Sequence, residues 1–556
     1  MTNQPANRYD ASRAVHLAVI ASAAVLHAMG LTPWPPITSL GAEGRTVSPL
    51  EAAARLDQLL ADGPSPAPRV DDATFLRRVH LDLVGQPPTP GEIASFALDR
   101  DASKRSRITE KLLADARFGR NWAHYWRDVI LARRSEERAL LVAPSLTDHL
   151  SHRFNANRPW DTIAREFITA TGKVTENGAT AIIMAQQGKP EETAAEISRI
   201  FLGVQIQCAQ CHDHPTDRWK RQQFHELAAF FPRVALRPDR EAMGRSFLVI
   251  SDDAPRRFVR KDNDSRRRGT LEHTMPDLQD PQAPGTRVQP VFFLSGEKLD
   301  YGTSDIQRRA QLAKWATAAE NPWFATAFVN RIWSELLGEG FYEPVDDVGP
   351  DRHASSPATL EYLTQAFIAS GYDVKGLFQM IMATEAYQRE SRPRRAPDAP
   401  VFMANTPQRL RADQLFDTLT AALGISIPEP MVATGGPRAI RRSPRYQFTE
   451  VFGFDPSDPR DEVVGSIPQA LVMMNSPVLD LATSARRADG LGKLLREIPD
   501  NEDLVLELYL RCFAREPSQE ELRTCLRYIK RVGRRDEAFE DLLWSLLNSA
   551  EFVHRM

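Results

Sequence analysis

Apolar and polar positions along most of this chain follow the spacing of amphipathic helices. Residues 49–60 form the first such stretch, behind Ser48, a residue type that caps the free N–H groups of a first turn. In 73–83, Phe75, Val79 and Leu83 recur at i, i+4 and i+8, with Asp71 or Asp72 as the cap. The string Gly85-Gln-Pro-Pro-Thr-Pro-Gly-Glu ends that helix. Thr89, Pro90 and Glu92 start the next, with proline at the first helical position and a carboxylate three residues past the cap. Residues 106–114 and 121–132 continue the pattern. In the latter, Trp122, Tyr125, Trp126 and Val129 form one stripe, which predicts core. Residues 147–154, 160–171 and 191–202 are also predicted helical, and the last runs directly into a cysteine motif.

The pattern changes over 236–303. Arg, Asp, Pro and Gly dominate, two short extended runs appear at 247–251 and 288–294, and Arg266-Arg267-Arg268 reads as a solvated loop tip. Helical spacing returns at 307–319, 323–337, 357–370 and 374–385. After a proline-containing linker at 392–400 it resumes at 410–423, 466–481, 502–512, 518–532 and 537–549. The fold class expected is mainly α: a helical domain over 49–235, an irregular connector with a few short β-strands over 236–303, and a second helical domain over 304–556. A chain of 556 residues with 42% hydrophobic content is too long for one core and rich enough to fill two.

Charge narrows the function. Seventy Lys and Arg against 73 Asp and Glu give a net charge of −3, without the basic excess a nucleic-acid-binding domain usually carries. The first residues read as a targeting signal. Arg8 and Arg13 precede an apolar run over 14–31, broken only by His16, Ser22, His27 and Gly30, with a cleavage point after Ala42. Residues 1–42 are therefore expected to be a signal peptide or signal anchor. The chain is placed in the periplasm or at the cell surface, with membrane association through this segment if it is retained. The alternative is a buried N-terminal helix. No later segment approaches the ~20 apolar residues of a membrane span.

Four cysteines are too few for a disulfide-stapled scaffold of this length, so the close pair needs its own explanation. Cys208-Ala-Gln-Cys211-His212 supplies two thiols three residues apart and an adjacent imidazole. Covalent haem attachment needs these groups: the thiols take the two vinyl groups and His212 binds the iron from below. With four cysteines and twelve histidines in the chain, the random expectation for this string is roughly 0.0004, so chance is a poor explanation. Met275, in His273-Thr-Met-Pro, is the candidate sixth ligand; His214, His225 and His273 are the others, and an open sixth position would favour small-ligand chemistry. Two other uses of the same residues stay open. One is zinc, held by Cys208, Cys211, His214 and His225. The other is a disulfide, redox-active or structural, although no thioredoxin-like pattern surrounds it.

Other candidates are weaker. Asp213 and Asp217 either hydrogen-bond the motif's histidines or cap turns. Asp346, Asp347, Asp351 and His353 could hold a divalent cation; capping the helix that begins at Pro357, or pairing with the buried Arg331 beside Trp333, is the blander reading. No Gly-x-Ser-x-Gly, P-loop or Ser/His/Asp set is present, so the sequence does not decide whether the chain is an enzyme.

Longer strings carry a resemblance. Phe75-Leu-Arg-Arg-Val-His-Leu-Asp-Leu-Val-Gly-Gln-Pro-Pro-Thr-Pro, Phe118-Gly-Arg-Asn-Trp-Ala-His-Tyr-Trp and Phe201-Leu-Gly-Val-Gln-Ile-Gln-Cys-Ala-Gln-Cys-His-Asp-His-Pro resemble the N-terminal half of the planctomycete cytochrome-associated proteins. Asn330-Arg-Ile-Trp, Pro344-Val-Asp-Asp, Ala386-Tyr-Gln, Gly465-Ser-Ile-Pro-Gln-Ala-Leu and Met474-Asn-Ser-Pro resemble that family's C-terminal domain. The resemblance implies two domains of uncharacterised function and export. It maps the family's Cys-x-x-Cys-His-x-His-Pro signature onto Cys208, Cys211, His212, His214 and Pro215. The expectation is an exported c-type haem protein that transfers electrons to or from a redox partner or an extracellular complex. The alternative is a non-enzymatic helical scaffold with a zinc or disulfide site at the motif.

Overall fold

A computed structural model describes residues 47–61, 66–242, 246–253, 272–280, 282–393, 400–425, 441–459, 465–475, 479–480 and 483–556. The 1–42 segment and the Arg266–Arg268 run lie outside the described residues. The protein is mainly α, with a few short strands in small sheets.

Helix starts follow the local chemistry. Ser48 and Thr89 each close a capping box, with Glu51 and Glu92 reaching back to the cap N–H. Asp71 caps Asp72–Val84, and Gly85 ends it in the left-handed region at φ 72°. Strand Phe247–Ser251 forms where alternation predicts it. It lies between Gly172–Lys173 and Val234–Pro238 in an antiparallel sheet. The second extended run differs. The strand covers Thr286–Val288, pairs with His273–Met275, and does not continue to 294. Pro290 has no N–H to give a ladder.

Among the described residues two hydrophobic cores form, and they divide the chain at a different place from the composition. Trp122, Tyr125, Trp126 and Val129 are buried as their stripe predicts. Trp126 stacks on Phe328 with ring centroids 5.7 Å apart and planes 7° apart, and Trp160 lies 4.3 Å from the same ring. Phe118 and Trp122 pack edge-on against Phe378. Helices Asp305–Ala316, Pro322–Leu337, Pro357–Ala369 and Val374–Met382 thus share the larger core with the N-terminal helices. The second core draws on residues from Leu410 to Phe552, with Leu81 reaching in from the other side.

The chain's end bridges the two. Strand His554–Arg555 pairs with Gln408–Arg409. The buried Arg555 guanidinium donates to Asp82 Oδ1 at 2.7 Å, to Asn405 Oδ1 at 2.7 Å and to the Leu336 carbonyl. The Tyr387 hydroxyl donates to Asp82 from the other side at 2.8 Å.

One buried group makes stability pH-dependent. His80 is fully buried, neither ring nitrogen has a hydrogen-bond partner among the described residues, and burial pushes its pKa down to about 4. An unfolded histidine protonates near pH 6.5, so between those values the unfolded chain holds the extra proton. The contribution is complete above pH ~6.5 and is lost as pH falls toward 4. Chemical denaturation should give a native state roughly 2 kcal/mol less stable at pH 5 than at pH 7 from this residue. His80→Leu should remove that part of the difference.

Candidate functional site

The motif is presented by a change of helix type. Helix Pro190–Ile197 widens into a π-helical turn, Ser198–Leu202, which Gly203 stops at φ +65°. A side chain at Gly203 would also meet Val348, 2.9 Å from its Cβ position. Such turns are frequent at functional sites. A short 3₁₀ helix, Ile206–Gln210, follows. It buries Ile206 and Ala209 and turns Cys208 outward. Residues three apart eclipse in this geometry, so Cys208 and Cys211 lie on one face. Both are exposed free thiols.

His212 is exposed beside them. Its Nδ1 lies 2.7 Å from the Asp213 carbonyl, which can only accept, so Nδ1 carries the proton and Nε2 keeps its lone pair. A metal-ligating imidazole needs that tautomer, fixed by a backbone carbonyl.

The loop rests on a second pair of histidines. His225 Nε2 donates to the Gln210 carbonyl at 3.1 Å, and its Nδ1 accepts from His273 Nε2 at 2.9 Å. Burial pushes both down to about 4, so both stay neutral. Arg221 donates to the same Gln210 carbonyl and to the Pro276 carbonyl at 2.6 Å. Strand His273–Met275 is thereby tied to the motif, and half-buried Met275 shares a strand face with His273. Asp213 caps Arg221 N–H and pairs with Lys220 rather than touching an imidazole. His214 Nδ1 accepts from the Thr216 N–H at 3.3 Å. The set Cys208, Cys211, His214 and His225 is not drawn together. Among the described residues no three His, Cys, Asp or Glu side chains are grouped to hold a metal ion.

Residues 54–235, which contain this motif, match the family model PSCyt2, described as a protein of unknown function (DUF1549), and residues 308–529 match PSD1, described as a protein of unknown function (DUF1553). The chain carries a PSCyt2 domain followed by a PSD1 domain. No curated protein and no solved structure matches it.

The PSD1 domain clasps the motif of the PSCyt2 domain from both sides. Before the motif, Val348 N–H donates to the Gly203 carbonyl at 2.7 Å, and Gln205 Nε2 donates to Asp346 Oδ1 at 2.7 Å. After it, Arg352 donates to Thr216, Arg218 donates to Asp351, and the Asp217 carboxylate packs on Gly349, where a side chain would have to displace it. Burial would push the Asp346 carboxyl up, but Arg331, Arg199 and Arg133 hold it down to about 2. Asp347 pairs with Arg352 at 2.8 Å. The carboxylates of this loop are thus matched to arginines, and the N-cap of Pro357–Ala369 is Ser356 rather than an aspartate. Sequence reasoning paired Arg331 with these aspartates, and it does lie 3.5 Å from Asp346. Arg199 and Gln205 were missed. The one signal was an arginine and a glutamine on either side of an otherwise apolar stretch leading into the motif.

The clasp predicts thiol behaviour. Gln205→Ala frees the loop before Cys208, and in chain produced without haem ligation, alkylation of Cys208 and Cys211 under native conditions should speed up several-fold while the melting temperature barely moves. Unchanged labelling would mean that the contact does not hold the motif.

Proposed function

We propose that this chain is an exported c-type haem protein that passes electrons to or from a redox partner. The observation that carries the reading is the state of His212: Nδ1 fixed by a backbone carbonyl, Nε2 available, and two free thiols exposed on one face beside it. Cys208 and Cys211 would hold the haem through thioether bonds, His212 would bind the iron, and Met275 is the candidate second iron ligand. A haem bound here supplies a one-electron iron couple. The protein's own part is to fix the imidazole tautomer, brace Gln210 through His225 and Arg221, and leave the motif open to an approaching partner. Arg8, Arg13 and the apolar run after them support export, where haem ligation takes place. Among the described residues no helix is long and apolar enough to cross a membrane.

The test is a pyridine haemochrome spectrum of the denatured chain after production with a haem-ligation system. The expected result is haem that stays with the polypeptide and disappears in the Cys208→Ser, Cys211→Ser double variant. A colourless protein holding zinc, or only a Cys208–Cys211 disulfide, would instead favour the helical scaffold.

A further inference from the structure

Three helices turn polar faces toward one another. Ala116–Leu131, Ala143–Asn155 and Pro444–Phe452 enclose a cleft of about 730 Å³, within the size range of small-molecule sites. Polar residues recur at helical spacing on each wall: His124 and Arg127 on the first, Asp148 and Ser151 on the second, Tyr446 and Glu450 on the third.

The ionic groups of the walls are matched within the protein. Arg127 donates to Asp128, Arg134 to Glu137 and Arg445 to Asp417, while Asp455 accepts from Arg133. A charged ligand would have to draw a group out of such a pair, so the cleft does not select for charge.

What it offers is hydrogen bonding of both kinds. Among the described residues the Asp148 carboxylate and the Ser151 hydroxyl make no hydrogen bond or ion pair with another group. The Ser443 hydroxyl accepts from the Tyr446 N–H and keeps its own proton to give. His124 adds an acceptor. Its Nδ1 lies 3.4 Å from Asp413 Oδ2, behind the ring and outside the cleft wall, and Arg411 holds that carboxylate. A carboxylate can only accept, so Nδ1 carries the proton and Nε2 keeps its lone pair. Burial lowers the His124 pKa, so the ring stays neutral. Beside these groups stands an aromatic ring, Tyr446, fixed through its hydroxyl, which donates to Glu450.

Donors and acceptors side by side, no preference for charge, and an aromatic face match the chemistry of a sugar. Each sugar hydroxyl both donates and accepts, and the C–H face of the ring packs on an aromatic side chain. We propose that this cleft is a second binding site, one that takes a neutral disaccharide. Asp148, Ser151 and His124 exchange hydrogen bonds with its hydroxyls, and Tyr446 covers its apolar face. The site shares no residue with the cysteine motif and does not depend on haem.

Calorimetric titration of the full chain with cellobiose, maltose and lactose, at low and at high salt, tests this. At least one of the three should bind at millimolar concentration or below, with an affinity that salt leaves unchanged, because no ion is being attracted. Lactobionate, an anion of similar size, should bind no more tightly than lactose. Asp148 is exposed, so Asp148→Leu should leave the melting temperature in place while weakening the bound sugar about tenfold, and Asp148→Asn should keep most of the affinity. Tyr446→Ala should weaken it by a similar factor, and Tyr446→Phe, which keeps the ring, by less. The proposal fails if none of the three disaccharides binds at millimolar concentration, if lactobionate binds more tightly than lactose, if added salt abolishes binding, or if either Asp148→Leu or Tyr446→Ala binds the sugar as the wild type does.

Discussion

Arg555→Ala should destabilise the protein by about 3–5 kcal/mol, the usual cost of leaving a buried charge without its partner. The guanidinium is 4% exposed and serves three acceptors on three separate elements: Asp82 in an N-terminal helix, the Leu336 carbonyl at the end of another, and Asn405 between the cores. Without it, Asp82 keeps only the Tyr387 hydroxyl, and the strand His554–Arg555 loses its anchor. Urea titration followed by circular dichroism measures the loss. The double variant Asp82→Asn, Arg555→Leu should recover part of it, because no charge is then left unpaired. A change below ~1 kcal/mol in Arg555→Ala would show the chain's end to be a loose tail rather than a strut.

Phe328→Ala should cost a similar amount, about 3–5 kcal/mol. The ring is buried between Trp126, Trp160 and Phe367, with centroids 5.7, 4.3 and 5.2 Å away. The effect reaches beyond size. Phe328 belongs to the C-terminal half by sequence, yet the tryptophans on it belong to the N-terminal half. Tryptophan fluorescence should therefore report the loss as one cooperative shift of the midpoint in denaturant. A variant in which the tryptophan signal unfolds at the wild-type midpoint would mean that the halves do not share a core.

Much of the local structure was legible in the sequence. Ser48, Asp71 and Thr89 cap where their types and the following Glu or Pro say they should, and Trp122, Tyr125, Trp126 and Val129 lie inside. These features depend on neighbours within a turn or two, which is the range that periodicity reports. What the stripe packs against was not legible, because nothing near Trp126 names Phe328. The same limit hid the polar contacts. His124 lies off the apolar stripe, and it is buried against Asp413, on a helix contributed by the second half of the chain. For the cluster from Asp346 to His353 the sequence left a cation site, helix capping and a pairing with Arg331 open; the fold sends Asp346 to Arg199 and Arg331, and Asp351 to Arg218.

At the cysteine motif the sequence supplied the residues and the structure their arrangement. The three-residue spacing already put two thiols and an imidazole together. The π-helical turn, the 3₁₀ segment that sets Cys208 above Cys211, and the Asp213 carbonyl on His212 depend on backbone conformation. The PSD1 loop that brackets the motif comes from far along the chain, and no local pattern announces it.

The measurement that bears most directly on the haem proposal is the mass of the intact, denatured chain made alongside a haem-ligation system. The account predicts that the polypeptide carries the mass of one haem, that the Cys208→Ser, Cys211→Ser variant lacks it, and that Cys208 and Cys211 in the native chain resist alkylation. An unmodified mass, with both thiols alkylated or joined as a disulfide, would contradict it.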